Sequence, residues 1–208
     1  DDVYYDPVSK NIYVAYGGGG IAVIDAITHR LTSRIKLPAH PERFQLDLSL
    51  GKIYVNLPDA HTIGVIDLKQ MELMKEWKTA PLYANFPMAL DTPYHRLFIG
   101  YRHPAELAVL DSRTGNLIRT MPMTGDADDI YFDEATQKIY VSGGSGYINI
   151  FQQKDANTYR EIANIPTQRG ARTSLLVPPL QLFLVAERAE GGREAQLLIY
   201  RTDMTDNQ

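Results

Sequence analysis

Asp2, Glu42, Arg43, Asn85, Asp126, Asp128, Asp129 and Arg172 are the residues whose types could act together chemically. With Asp1 they fall in five short polar segments: "DD" (1–2), "HPER" (40–43), "YANFP" (83–87), "GDADD" (125–129) and "QRGART" (168–173). Carboxylates and an amide gathered from several loops are hard oxygen donors, which suit Ca²⁺ or Mg²⁺. Arg43 and Arg172 offer planar forks that match an anionic or sugar-like ligand. Asp, Asn and Gly also make ordinary turns and caps in solvated loops, so a third reading needs no ligand at all.

Other candidates are weaker. The five histidines are His29, His40, His61, His95 and His103, and no two are spaced for one ligand face. "YGGGGI" (16–21) and "GGSGY" (143–147) resemble phosphate-cradling loops, but that role needs a helix to follow, and an apolar strand pattern follows instead. Ser142 and Ser145 lack the strand–turn–helix elbow of a serine hydrolase. Tyr83 and Phe86 could touch a ligand or simply anchor their loop. The charged segment "ERAEGGREAQ" (187–196) reads as a long loop open to a partner contact.

Something must bring these scattered segments together. Ile12, Ile53, Leu97, Ile139 and Leu182 each open an "IYV"-like triplet, at spacings of 41, 44, 42 and 43 residues. A period of that length repeated five times is a structural unit in tandem. Around each triplet stand "KNIYVAY", "GKIYVNL", "HRLFIGY", "QKIYVSG" and "LQLFLVA"; then come "IAVID", "IGVID", "LAVLD", "INIFQ" and "LLIYR". These segments are short, β-branched and aromatic, and bounded by Gly, Pro, Asp and Asn, which predicts strands. "LKQMELMKEW" (68–77) comes nearest to a helix pattern, but its place matches "HRLTSRIKL" and "GNLIRTMPM", so it also reads as strand. A first strand ending in Asp ("VYYD", "FQLD", "MALD", "IYFD") completes a unit of four; the fifth unit has "SLLV" there and stops after its third strand, with "TDMTDNQ" (202–208) a poor fourth.

Four antiparallel strands per unit, stacked radially, make a β-propeller. The chain is expected to be all-β, one domain over residues 1–208. Its blades are expected near 1–40, 41–84, 85–126, 127–169 and 170–208, the last incomplete. The polar segments then become loops leading from an outer strand into the next inner strand, which line one mouth of the central channel. His40, His61 and His103 fall on that side, His29 and His95 on the other. The recurrent aromatics, Tyr4, Tyr5, Tyr13, Tyr54, Phe98, Tyr131, Phe132, Tyr140 and Phe183, read as packing between blades, with Trp77 on an outer strand.

Composition narrows the function. A formal net charge of −4 supplies no basic field for nucleic acid, and no apolar run approaches a membrane span. The chain has no cysteine, which removes disulfides, thiolate zinc sites and cysteine nucleophiles. No signal peptide is legible in the sequence.

The "IYVxx…xxVxVID" pattern resembles the YVTN-type repeat of the YncE-like propeller family, across all five repeats. The resemblance implies a periplasmic or secreted protein and, in the usual family form, seven blades. Five repeats fit either part of such a larger ring or a compact five-bladed ring with one three-stranded blade. Open blade edges would leave room for an oligomer. The sequence favours a non-enzymatic platform that presents a protein or small-molecule site at the channel mouth. The alternative is a metal-dependent hydrolase similar to propeller lactonases, which place a Glu, an Asn and an Asp around one cation; Glu42, Asn85 and Asp128 or Asp129 would play those parts with Ca²⁺.

Overall fold

Nineteen strands form five antiparallel sheets in a computed structural model that describes residues 2–202. The first sheet contains Val3–Asp6 (β1), Asn11–Tyr16 (β2), Gly20–Asp25 (β3) and Leu31–Lys36 (β4). The second contains Phe44–Asp47 (β5), Lys52–Leu57 (β6), Thr62–Asp67 (β7) and Glu72–Lys78 (β8). Tyr83–Asp91 (β9), Arg96–His103 (β10), Ala105–Asp111 (β11) and Leu117–Pro122 (β12) make the third. Ala127–Asp133 (β13), Lys138–Gly143 (β14), Tyr147–Asp155 (β15) and Thr158–Pro166 (β16) make the fourth. The fifth has three strands, Ser174–Val177 (β17), Leu182–Glu187 (β18) and Gln196–Arg201 (β19). Each sheet runs in chain order, so the protein is an all-β propeller whose last blade has three strands among the described residues. The segment 68–77, nearest to a helix in sequence, is a turn followed by β8. Asp1 and residues 203–208, most of the expected polar tail, lie outside the described residues.

The turns follow from their aspartates. Asp6 accepts the Val8 N–H at 2.9 Å, and Asp133 accepts the Ala135 N–H at 3.1 Å. Asp25, Asp67 and Asp111 do the same between third and fourth strands, accepting N–H groups two residues on at 2.8–2.9 Å. A short polar side chain thus replaces a backbone acceptor and closes each hairpin. In all four complete blades the ladder between third and fourth strands shifts register at an equivalent place, and in the fourth blade it shifts a second time near Gln153. Such bulges raise local twist, which turns each blade as it runs outward.

Burial shows how blades support one another. Five consecutive residues of β6, from Ile53 to Leu57, are buried, as are Arg96–Tyr101 of β10 and Ile139–Gly143 of β14. Successive strand residues point to opposite faces, so these strands are covered on both sides. In β2 only Tyr13 and Ala15 are buried, and in β18 only Phe183 and Val185. The terminal blades are covered on one face alone. Four apolar clusters join blades one to two, two to three, three to four and four to five; among the described residues none joins five to one. The bare faces carry Val3 (63% exposed), Leu197 (58%) and Ile199 (61%). Each fully buried Leu, Ile or Phe stabilises the fold by about 2 kcal/mol, and these exposed residues contribute little of it.

The aromatics mostly pack as expected. Tyr54 stacks on Trp77 with centroids 5.6 Å apart, and Phe98 meets Phe132 and Tyr159 at 5.3 and 5.8 Å. Tyr131 and Tyr140 both pack on Phe183 across the seam between blades four and five. Tyr5 departs from the pattern and lies half exposed on the bare face of blade one.

Candidate functional site

The loops from fourth strands into the next first strands gather at one end with the turns between second and third strands. Gly144 donates its N–H to the Asp126 carbonyl at 2.9 Å, and Gly170 donates to the Gly144 carbonyl at 2.8 Å. Gly17 lies against the His40 ring. The glycine-rich segments are tight turns: the Gly19 N–H closes on the Tyr16 carbonyl at 3.1 Å.

Arg43, at the entrance to blade two, reaches two other blades. Its guanidinium lies 3.3 Å from Asp2 of blade one and 3.9 Å from Asp129 of blade four. It also lies over the Tyr131 ring, 5.5 Å from the centroid. Contact between blades two and four places this group near the common axis. Asp2 accepts the Phe44 N–H at 3.3 Å, and Asp129 accepts the Ser174 N–H at 2.7 Å, which ties in blade five. Burial pushes the Asp129 carboxyl above its usual range, opposed by the Ser174 N–H and Arg43. Burial pulls Arg43 down, but Asp2, Tyr131 and Asp129 carry it above its ordinary value.

Beside the axis sits a second group of four. Arg102 closes on Asp128 and lies 3.2 Å from Asp126. Arg172 meets the other oxygens of both carboxylates, at 2.7 Å for Asp126 and 2.6 Å for Asp128. The result is a square of alternating charge in which every carboxylate oxygen faces a guanidinium. Phe86 stacks beneath Arg102, its centroid 3.9 Å away, so this aromatic anchors the network. Hydrogen bonding to Asp126 raises Arg172 above its ordinary value. The sequence reading missed Arg102 because "HRLFIGYR" reads as a strand interior; its place at the mouth end of β10, level with the loops, was the available signal.

Asn85 is fully buried on β9 and lies in a strand, not in a loop. Its amide N–H groups go to Asn56 Oδ1 and the Thr62 carbonyl, both at 3.0 Å, and Asn56 in turn donates to the Phe86 carbonyl at 2.9 Å. Its own Oδ1 is buried without a partner. Glu42 lies 3.7 Å from the His40 ring. Ca²⁺ needs several carboxylate or carbonyl oxygens at one point. Both Asp128 oxygens face guanidinium groups, and among the described residues no three His, Asp or Glu side chains gather as a cation site. The set Glu42, Asn85 and Asp128 therefore does not fit the cation of the lactonase reading.

The remaining candidates are structural in their surroundings. Ser142 is buried, donates to the Arg172 carbonyl and meets the Ser174 hydroxyl, both at 2.7 Å. His61 packs edge-on against Tyr83. The segment 187–196 bridges Glu190 to Arg193 and overhangs the mouth loops of blades four and five.

No family model and no curated protein matches the sequence. Among solved structures the fold is similar to a chain of Kuenenia stuttgartiensis hydrazine synthase, with a TM-score of 0.75 at 13% identity. The match covers 97% of this chain and 62% of that one, so this chain spans under two thirds of its length. At that identity the likeness shows the propeller fold alone.

Proposed function

We propose that the protein is a non-enzymatic propeller platform whose mouth loops present a ligand or partner site. One observation carries this reading. Asp126 and Asp128, the most open of the acids in the loops that enter the blades, are bound at every oxygen by Arg102 and Arg172. Carboxylates held this way are a poor base and a poor cation site, but they make a rigid rim. Arg43 with Asp2 and Asp129 stiffens the axis in the same way.

The lactonase alternative has one observation in its favour, the unpartnered Oδ1 of Asn85. Calorimetry with Ca²⁺ and a lactone hydrolysis assay separate the two readings. The platform binds no Ca²⁺ and hydrolyses nothing. Turnover that Glu42→Ala or Asn85→Ala abolishes, in protein that remains folded, would overturn it.

Membership of the YncE-like family, and the periplasmic or secreted setting it implies, rest on the repeat motif quoted above. The bare outer faces of blades one and five support cover by further blades, of a longer polypeptide or of a second copy. No helix is long and apolar enough to cross a membrane among the described residues.

A further inference from the structure

The ion-paired square leaves one side of Asp126 facing an open cavity of about 810 Å³ between the mouth loops of blades four and five. Arg169, Arg188 and Arg193 line it. We propose that this cavity binds a small dianionic group, phosphoryl or paired carboxylate, held among these three arginines. The proposal rests on the platform reading and names the ligand class of that site.

Charge is the first argument. Both Asp126 oxygens are already taken by Arg102 and Arg172, so this acid does not neutralise the cavity arginines. Glu190 is the one acid opposing them in the wall, 3.9 Å from Arg188. Three guanidinium groups against this one carboxylate leave an excess of two positive charges in the wall, in a chain that is negative overall. Guanidinium forks bind carboxylate and phosphoryl oxygens in pairs, and two charges on the ligand balance two in the wall.

Construction is the second. Gly170 adopts φ +85°, and a Cβ there would stand 3.1 Å from the Arg188 guanidinium. Glycine lets that guanidinium lie close over the main chain in the cavity wall. Gly144 shares the wall, and a Cβ there would collide with the Asp126 carboxylate. Thr167, in the same wall, has a buried hydroxyl with no partner. The backbone is thus cut back where the charged side chains converge. "ERAEGGREAQ", which in sequence read only as a charged loop, supplies Arg188, Glu190 and Arg193.

The test is titration calorimetry of the whole chain at low salt with inorganic phosphate, succinate and, as monoanion control, formate. A saturable one-to-one isotherm is expected for phosphate or succinate and none for formate. Phosphate alone assigns the phosphoryl class, succinate alone the dicarboxylate class. Arg188→Gln and Arg193→Gln should each weaken binding about tenfold or more. Arg113→Gln, on a turn between third and fourth strands, should leave it unchanged. Thermal melts confirm that each variant is folded; the residues are exposed, so little stability is at stake. No dianion saturating below roughly 10 mM, or equal affinity in wild type and both variants, overturns the proposal. Failure here without hydrolysis sinks the dianion site alone; lactone turnover lost with Asn85 sinks the platform and leaves this titration standing.

Discussion

Arg43 lies 3.3 Å from Asp2, although the two residues open different blades and stand 41 positions apart in the chain. The same guanidinium faces Asp129, so one cation holds the inner ends of three blades.

Replacing Arg43 with Met should destabilise the protein by about 1–3 kcal/mol at pH 7, because Asp2 and Asp129 keep their partly buried charges without a cation. The loss should depend on pH. Burial already raises Asp129, and removing Arg43 raises it further. A carboxyl raised in the folded state binds its proton more tightly there; the stability this gives is full below the unfolded pKa and disappears as pH rises through the folded pKa. Urea midpoints should therefore differ more between wild type and Arg43→Met at pH 7.5 than at pH 4.5. Equal differences at both would remove Asp129 from the account.

Asn85→Ala tests whether that amide is structural. The change leaves Asn56 Oδ1 and the Thr62 carbonyl without their donor in a fully buried site. A loss of roughly 2–3 kcal/mol is expected, read as a lower denaturation midpoint. A drop below about 0.5 kcal/mol would show that the Asn56–Asn85 pair does not hold the seam between blades two and three.

The fold was legible because its signals are local and repeated. "IYV" and "VID" state strand, face and turn in each copy, and the Asp residues that close the hairpins sit where the repeat places them. The site was legible only as a set of residues. Asp2, Arg43 and Asp129 do meet, as do Asp128 and Arg172. Which pair with which depends on blade tilt and side-chain reach, and period alone carries neither. Asn85 shows the cost: counted as a loop ligand, it lies inside β9, extended by the bulge opposite Gly100. A Cβ on Gly100 would come within 2.6 Å of Pro87, so that glycine lets the proline sit in the strand.

Asp111 gives a second pH prediction of opposite sign. The Arg113 side chain beside it, at 2.7 Å, helps to lower its carboxyl to about 2 from a usual 3.8. A carboxyl lowered in the folded state stabilises above its unfolded pKa, and that stability is lost as pH falls through the folded value. Wild type should lose stability between about pH 4 and pH 2, and Asp111→Asn should flatten that stretch of the curve. Other turn aspartates titrate nearby, so the measurement is the difference between the two urea midpoint curves. Parallel curves would refute the assignment.

The bare face of blade five should behave unlike the seams. Ile53 is fully buried between blades one and two, and Ile53→Ala should cost about 2–5 kcal/mol through lost burial and a cavity. Ile199 is 61% exposed beside Leu197 on a strand that has no outer neighbour among the described residues. Ile199→Lys should change stability by less than about 0.5 kcal/mol. An apolar face joined to an open strand edge favours association between copies, and a lysine there opposes it. Sedimentation velocity should show concentration-dependent association of the wild type and less of it in Ile199→Lys, at equal thermal stability. A strictly monomeric wild type, or a lysine variant that unfolds, would mean that this face is covered within the chain itself.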